Sequence, residues 1–137
     1  MSKNKIKILI VDDSPEWIKF HINLLNMLLD KDSFEINYEM SARAGFNNVI
    51  KDGETRYDLI ISDLEMEEIL EESYAGSWFV RNIINRKECK NSKILIISGS
   101  YDIDKVAKEF NVDFIPKYIL SNNPEIMGYK LEEILET

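Results

Sequence analysis

Five polar residues in this sequence have the right chemistry for a phosphoryl-transfer or metal site: Asp12, Asp13, Asp63, Ser98 and Lys117. Carboxylates crowded into one pocket repel each other, and a hard cation such as Mg²⁺ relieves that repulsion. A carboxylate can also attack phosphorus as a nucleophile, while a lysine neutralises the charge of the transferred group. Together these residue types indicate metal-assisted phosphoryl chemistry, provided that the fold brings them together.

The segments before these residues predict how the fold does so. Short apolar runs at 8–11, 59–61 and 94–97 lead directly to the acidic pair, to Ser62-Asp63 and to Ser98. Such β-branched runs are typical of parallel strands that are buried on both faces. The carboxyl ends of parallel strands meet at one edge of the sheet, where open α/β folds bind their ligands. We therefore expect the polar residues to share that edge.

The remaining segments complete an α/β pattern. Strands are predicted at 5–12, 35–40, 59–61, 93–98 and 113–115, and the alternation of polar and apolar residues in 35–40 indicates an edge strand. Helices are predicted from Ser14 to about Asp30, from Ser41 to Gly53, from Gly76 to about Arg86, from Ile103 to Phe110, and from Asn123 onward. This order predicts a doubly wound, five-stranded parallel sheet of flavodoxin-like order 2-1-3-4-5, with helices on both faces.

Length and composition narrow the functional class. The 137 residues predict a single domain spanning 1–137. A net charge of −8 argues against nucleic-acid binding, which needs a basic surface. Cys89 is the single cysteine, which excludes an internal disulfide and fits a reducing compartment. With no run of membrane-spanning length and no signal-peptide pattern, we expect a cytoplasmic protein.

The ordered set of polar residues resembles the site of the response regulator receiver domains of two-component signalling. That family has an acidic pair after strand one, a phospho-accepting Asp after strand three, a Ser or Thr after strand four and a Lys after strand five. Asp12-Asp13, Asp63, Ser98 and Lys117 stand at the matching positions, and the resemblance covers nearly the whole chain.

The resemblance implies a role for each acidic residue. Asp63 is implied to be the phosphoacceptor, and Asp13 and Asp63 are implied to bind Mg²⁺ directly. Asp12 would act through a metal-bound water, and the backbone carbonyl of Glu65 would be a further ligand.

It also implies a switch built from Ser98 and Phe114, with Ser98 and Lys117 completing the catalytic set. The sequence departs from the family in that Tyr118, not proline, follows Lys117. The segment between Ser98 and Lys117 is shorter than usual, and the acidic stretch after the phosphoacceptor is longer.

The implied function is a phosphorylation-controlled switch that takes a phosphoryl group on Asp63 from a histidine kinase or a histidine phosphotransfer protein. Transfer and dephosphorylation would be self-catalysed, and output would pass through protein contact with an unidentified target. The chain would be a stand-alone receiver, of chemotaxis or phosphorelay type, or a receiver cut from a longer protein; its oligomeric state stays open. Two alternatives are a receiver-like interaction module that needs no phosphorylation and a Mg²⁺-dependent phosphohydrolase with an aspartyl-phosphate intermediate.

Three further features could each have a purely structural role or a functional one. The lone histidine, His21, is interpreted as a buried, hydrogen-bonded residue and not as a phosphodonor. Trp17 and Trp78 are interpreted as packing residues. The glutamates of the acidic stretch are either a solvated surface or the element that selects the partner; they are Glu65, Glu67, Glu68, Glu71 and Glu72.

Overall fold

The computed structural model describes residues 5–51, 57–66, 69–70 and 73–135. Its main sheet is formed by five parallel strands, β1 (Ile6–Val11), β2 (Phe34–Glu39), β3 (Leu59–Ser62), β6 (Lys93–Ser98) and β7 (Asp113–Pro116). Their order is β2-β1-β3-β6-β7, so the predicted order 2-1-3-4-5 is confirmed. Two further strands, β4 (Ile69–Leu70) and β5 (Ser73–Tyr74), form a small antiparallel hairpin that the sequence did not predict.

Six α-helices accompany the sheet in the described residues. They are α1 (Pro15–Leu28), α2 (Ala42–Ile50), α3 (Ala75–Ile84), α4 (Ile103–Phe110), α5 (Lys117–Asn122) and α6 (Ile126–Leu135). The predicted caps are present, because the side chains of Ser14 and Ser41 accept the backbone N–H groups of Trp17 and Ala44. Helix α5 was not predicted, and Gly53, the predicted end of the second helix, lies outside the described residues.

The helices cover the sheet on both faces. Helices α1, α5 and α6 pack on one side, which we call the α1 face, against Ile8, Ile10, Leu59, Ile61, Leu95, Ile97 and Ile115. Helices α2, α3 and α4 pack on the other side, the α3 face, against Leu9, Val11, Ile60, Ile94 and Ile96. The three central strands are therefore buried on both faces, which explains their continuous apolar sequences. None of the described helices is long and apolar enough to cross a membrane.

The alternation of side chains along each strand determines which polar residues can meet. Successive side chains of a strand point to opposite faces. Asp12 and Asp63 each stand two positions after an α1-face residue, Ile10 and Ile61 respectively. Lys117 stands two positions after Ile115, on the same face. Ser98 follows Ile96 at the same interval, and so belongs to the α3 face.

Candidate functional site

Asp63 lies directly after β3 with only 4% of its surface exposed. Its own N–H donates to the carbonyl of Val11 at 3.0 Å, which continues the pairing of β3 with β1. Its Oδ1 atom accepts the backbone N–H of Leu64 at 2.7 Å and that of Glu65 at 3.2 Å. One carboxylate oxygen is thus fixed by backbone donors, and Oδ2 is left to face the neighbouring strand ends.

Lys117 supplies the positive charge of the site. Its Nζ lies 2.9 Å from Asp63 Oδ2 and 3.1 Å from Asp12 Oδ2, so one ammonium group bridges two strand ends. Burial alone would lower the pKa of Lys117, but the charges of Asp63 and Asp12 and the hydrogen bonds to them outweigh burial and raise that pKa. Lys117 is also the first residue of α5, so no loop separates it from β7.

Asp12 is buried, and its negative charge is only partly stabilised by its neighbours. Its Oδ1 accepts the N–H of Ser14 at 2.9 Å, but its Oδ2 accepts no aligned hydrogen bond from the described residues, and the contact with Lys117 is an ion pair. Burial raises the pKa of Asp12, and the nearby charge of Asp63 raises it further. The Ser14 N–H and Lys117 offset this only in part.

The three carboxylates fit a divalent cation. Oxygen atoms of Asp12, Asp13 and Asp63 all lie within 4.8 Å of one another. An all-oxygen donor set with excess negative charge is what Mg²⁺ prefers, and Asp12 Oδ2 is a buried oxygen with unused acceptor capacity. The backbone of Glu65 lies beside the group, because its N–H donates to Asp63.

Ser98 and Phe114 lie near this edge but are not joined to the acidic group in the described residues. Ser98 is fully buried, its Oγ lies 3.2 Å from the Oγ of Ser100, and it accepts the N–H of Ser100 at 3.2 Å. Phe114 is half-buried and packs on the α3 face, where its strand neighbour is Ile96. Both predicted switch residues therefore lie on the face opposite Lys117.

No protein-family model matches the sequence, and a comparison with curated proteins gives no match either. Solved structures match over nearly the full length. The phosphorylated cyanobacterial phytochrome response regulator RcpA is 21% identical, with a TM-score of 0.77 over 96% of this chain and 95% of its own. The Vibrio cholerae chemotaxis protein CheY4 is 22% identical, with a TM-score of 0.73 over 96% of this chain and 99% of its own. The BeF₃-activated DrrB receiver domain is 18% identical, with a TM-score of 0.74 over 98% and 100%.

The chain has the receiver-domain fold. Two residues of this receiver fold contact the site although no role there was predicted for them from the sequence. The first is Trp17, interpreted as a packing residue: the Nζ of Lys117 lies 4.9 Å from the centre of its ring. Its position in the sequence could have indicated this contact, since Trp17 lies in the first turn of the helix that follows the acidic pair.

The second is Gly76, at the start of α3. Its N–H donates to the carbonyl of Leu64 at 3.1 Å. A Cβ at this position would fall on the carbonyl oxygen of Asp63 and on the Cα of Leu64. Only glycine lets the helix start approach the backbone of the receiver's central strand so closely.

His21 differs from its predicted environment in one respect. It is buried, as expected, but its Nδ1 has no hydrogen-bond partner in the described residues, so the prediction of a hydrogen-bonded histidine is wrong for that atom. The reason is its apolar setting beside the rings of Trp17 and Phe20. Burial, with a contribution from the charge of Lys117, lowers the pKa of His21 to about 3.

The acidic stretch can be placed only at its start. Glu65 is exposed and directly follows the buried Leu64. The other four glutamates of the predicted partner-selecting surface lie outside the described residues; they are Glu67, Glu68, Glu71 and Glu72.

Proposed function

We propose that this chain is a phosphorylation-controlled signalling switch whose phosphoacceptor is Asp63. The observation that carries the proposal is the bridging of Asp63 and Asp12 by the ammonium group of Lys117, at 2.9 and 3.1 Å, beside a third carboxylate. A buried aspartate held by two backbone N–H groups and one lysine suits a nucleophile whose product carries extra negative charge. The receiver fold, shared with proteins described as response regulators, supports this assignment.

In the transfer step, a carboxylate oxygen of Asp63 forms a bond to phosphorus while the bond between phosphorus and the donor's leaving group breaks. The N–H groups of Leu64 and Glu65 keep the carboxylate oriented throughout. Lys117 neutralises negative charge on the acceptor before transfer and on the phosphoryl oxygens afterwards. A Mg²⁺ ion bound by Asp13 and Asp63, with Asp12 acting through water, would supply charge neutralisation at the same oxygens.

The donor in this proposal is a histidine kinase or a histidine phosphotransfer protein in the cytoplasm, and the output is a changed protein contact. The phosphoryl group would attract Ser98 away from Ser100, and Phe114 would rotate into the space on the α3 face. This is a local electrostatic event that biases a two-state element.

The test is intact-mass measurement after incubation with a small acyl phosphate, with and without Mg²⁺. We expect one added phosphoryl group in the wild type with Mg²⁺, and none in Asp63→Asn. Asp58→Asn is the matched control, because Asp58 is an exposed aspartate at the opposite end of the same strand.

Labelling of Asp63→Asn to the wild-type level would contradict the assignment. Continuous release of phosphate from phosphate esters would favour a hydrolase. Proper folding with no adduct under any condition would favour an interaction module that needs no phosphorylation.

A further inference from the structure

We propose that Trp17 is a positioning residue for Lys117, and that its indole face holds the ammonium group where it can reach both Asp12 and Asp63. The inference rests on the proposed function, because positioning matters through the role of Lys117 in phosphoryl transfer. It concerns a residue that is not among the hydrogen-bond and ion-pair partners of the Asp12 and Asp63 carboxylates in the described residues.

The geometry gives Lys117 contacts on two sides. Its Nζ lies 2.9 Å from Asp63 Oδ2 on one side and 4.9 Å from the ring centre of Trp17 on another. A cation within about 6 Å of an aromatic ring centre is attracted to the negative face of the ring, most strongly by tryptophan. Only 15% of the lysine side chain is exposed, so water screens this attraction weakly.

The ring is itself tied to the acidic turn. Asp12 Oδ1 accepts the N–H of Ser14, and the Oγ of Ser14 accepts the N–H of Trp17 at 3.3 Å. The backbone that carries the indole is thereby fixed relative to one of the two carboxylates that Lys117 bridges. Trp17 and Asp12 are thus linked through Ser14, and both contact the ammonium group of Lys117.

Aromatic neighbours support the ring from its other sides. Phe20 packs edge-on at 5.0 Å and His21 lies tilted at 5.5 Å. His21 is buried and neutral near physiological pH, because its pKa is lowered to about 3, so it adds no positive charge that would repel Lys117. The rings of Trp17, Phe20 and His21 thus form an aromatic cluster in which His21 carries no positive charge to repel the ammonium group of Lys117.

A lysine needs such support because its side chain has four flexible torsions and loses substantial entropy when it is held in one place. The Trp17 face restricts the ammonium group to positions near both carboxylates. Without it, Lys117 would keep its charge but spend less time at the acceptor. The competing explanation is that Trp17 only fills space between α1 and the sheet edge.

A double-mutant cycle separates these two explanations. Phosphorylation rates with a small acyl phosphate and Mg²⁺ are measured for the wild type, Trp17→Leu, Lys117→Met and the double variant. We expect Trp17→Leu to slow phosphorylation about three- to ten-fold, the factor that a partly desolvated cation–π contact provides. In the Lys117→Met background the same change should have almost no effect, because Trp17 acts through the lysine.

Two further variants sharpen the cycle. Trp17→Phe keeps an aromatic face and should recover part of the lost rate. Phe20→Leu removes a neighbouring ring of the same cluster without removing the one that faces Lys117, and should stay within about two-fold of wild type. Equal losses from Trp17→Leu in both backgrounds, or equal losses in Phe20→Leu and Trp17→Leu, would overturn the proposal in favour of simple packing.

A second readout does not depend on phosphorylation. The ring current of Trp17 should shift the NMR signals of the Lys117 ε-methylene protons upfield, and Trp17→Leu should move them to the values of an ordinary lysine while Phe20→Leu leaves them shifted. An unshifted Lys117 signal in the wild type would refute the contact even if Asp63 is phosphorylated. If instead the shift is present and no adduct forms on Asp63, the positioning holds and the proposed function fails.

Discussion

At the carboxyl ends of β1 and β3 the polar side chains pair across strands, whereas at the end of β6 they pair within their own loop. Lys117 joins Asp12 to Asp63, while Ser98 contacts Ser100. Side-chain alternation explains the difference, because Asp12, Asp63 and Lys117 each stand two positions after an α1-face residue, whereas Ser98 stands two positions after the α3-face residue Ile96. The region around Asp63, the proposed phosphoacceptor, is thus assembled without a phosphoryl group, and in the region proposed to respond the two serine hydroxyls contact each other.

The two regions also differ in how tightly they are packed. Behind Asp63, Gly76 leaves no room for a Cβ, and the atoms in the way belong to backbone. After Ser98, a Cβ on the exposed Gly99 would meet nothing within 4 Å. A rigid acceptor beside an uncrowded response loop is what a switch of the proposed kind requires, and four perturbations test the contrast.

The largest effect on stability is expected from adding a methyl group at Gly76, behind Asp63, and the same change at Gly99, after Ser98, serves for comparison. Gly76→Ala should lower the free energy of unfolding by about 3 kcal/mol, because the backbone of Asp63 and Leu64 must move to accept it. Gly99→Ala is the matched control and should change stability by no more than about 0.5 kcal/mol. Urea unfolding of both variants measures the difference; a Gly76→Ala variant as stable as Gly99→Ala would show that the acceptor backbone is not rigid.

Removal of the bridging charge should have the next largest effect. Lys117→Met leaves the acidic group without its cation and should cost about 2 kcal/mol of stability at neutral pH, less than for a fully buried ion pair because water reaches part of the lysine side chain. The folded-state pKa of Lys117 is raised, so its stabilising contribution is fully present below its ordinary pKa of 10.5 and is lost as pH rises through the higher folded value. The deficit of Lys117→Met should therefore shrink in strong base.

Mg²⁺ supplies a control for that variant. If the carboxylates bind the ion as proposed, its addition should restore more stability to Lys117→Met than to the wild type. Equal thermal shifts in the two proteins would contradict the idea that ion and lysine neutralise the same charges.

A smaller effect of opposite sign is expected at Asp12. Its folded-state pKa is raised, so the contribution of Asp12 to stability is present below the ordinary pKa of 3.8 and is lost as pH rises through the folded value. Asp12→Asn carries no charge to bury and should be about 1 kcal/mol more stable than the wild type at neutral pH without metal. The gain should vanish in acid, and a gain that persists there would show that the charge is not its cause.

The smallest effect on stability is expected on the β6 side. Ser98→Ala removes the hydroxyl whose oxygen contacts the Oγ of Ser100 and accepts the N–H of Ser100, and should cost about 0.5–1 kcal/mol because both contacts are long and neutral. Its effect on the response should be larger than its effect on folding. Amide NMR shifts around Phe114 on phosphorylation should be reduced in Ser98→Ala, and an unchanged pattern would remove Ser98 from the proposed switch.

The sequence predicted the parts of this molecule that depend on local pattern. The buried central strands and the caps at Ser14 and Ser41 follow from short-range signals that the fold preserves, and the sheet order follows from the alternation of strands and helices and the edge pattern of β2. The meeting of Asp12, Asp63 and Lys117 at one sheet edge was predictable as well, since parallel strands align their carboxyl ends. Helix α5 was not, because six residues directly after a strand give no periodicity to recognise.

Contacts between distant segments could not be predicted in the same way. Gly76 matters because a helix start meets the end of β3, and no spacing in the sequence encodes that distance. The ring of Trp17 reaches Lys117 only because α1 and α5 pack on the same face. The separation of Ser98 from Lys117 could have been found by counting residues from each strand's buried positions, since side-chain alternation along a strand is fixed.

The two edge strands of the sheet differ in what protects them from pairing with another chain. A free strand edge can pair with another chain, and proteins limit this with charge, short edge strands or proline. Strand β2 exposes Glu35 and ends in the half-buried Glu39, whereas β7 has only four residues and ends in Pro116. Protection at β2 therefore rests on charge and should weaken as the net charge of the chain approaches zero near its isoelectric point of about 4.7. Protection at β7 rests on length and a missing N–H, so acid-induced aggregation should begin at β2.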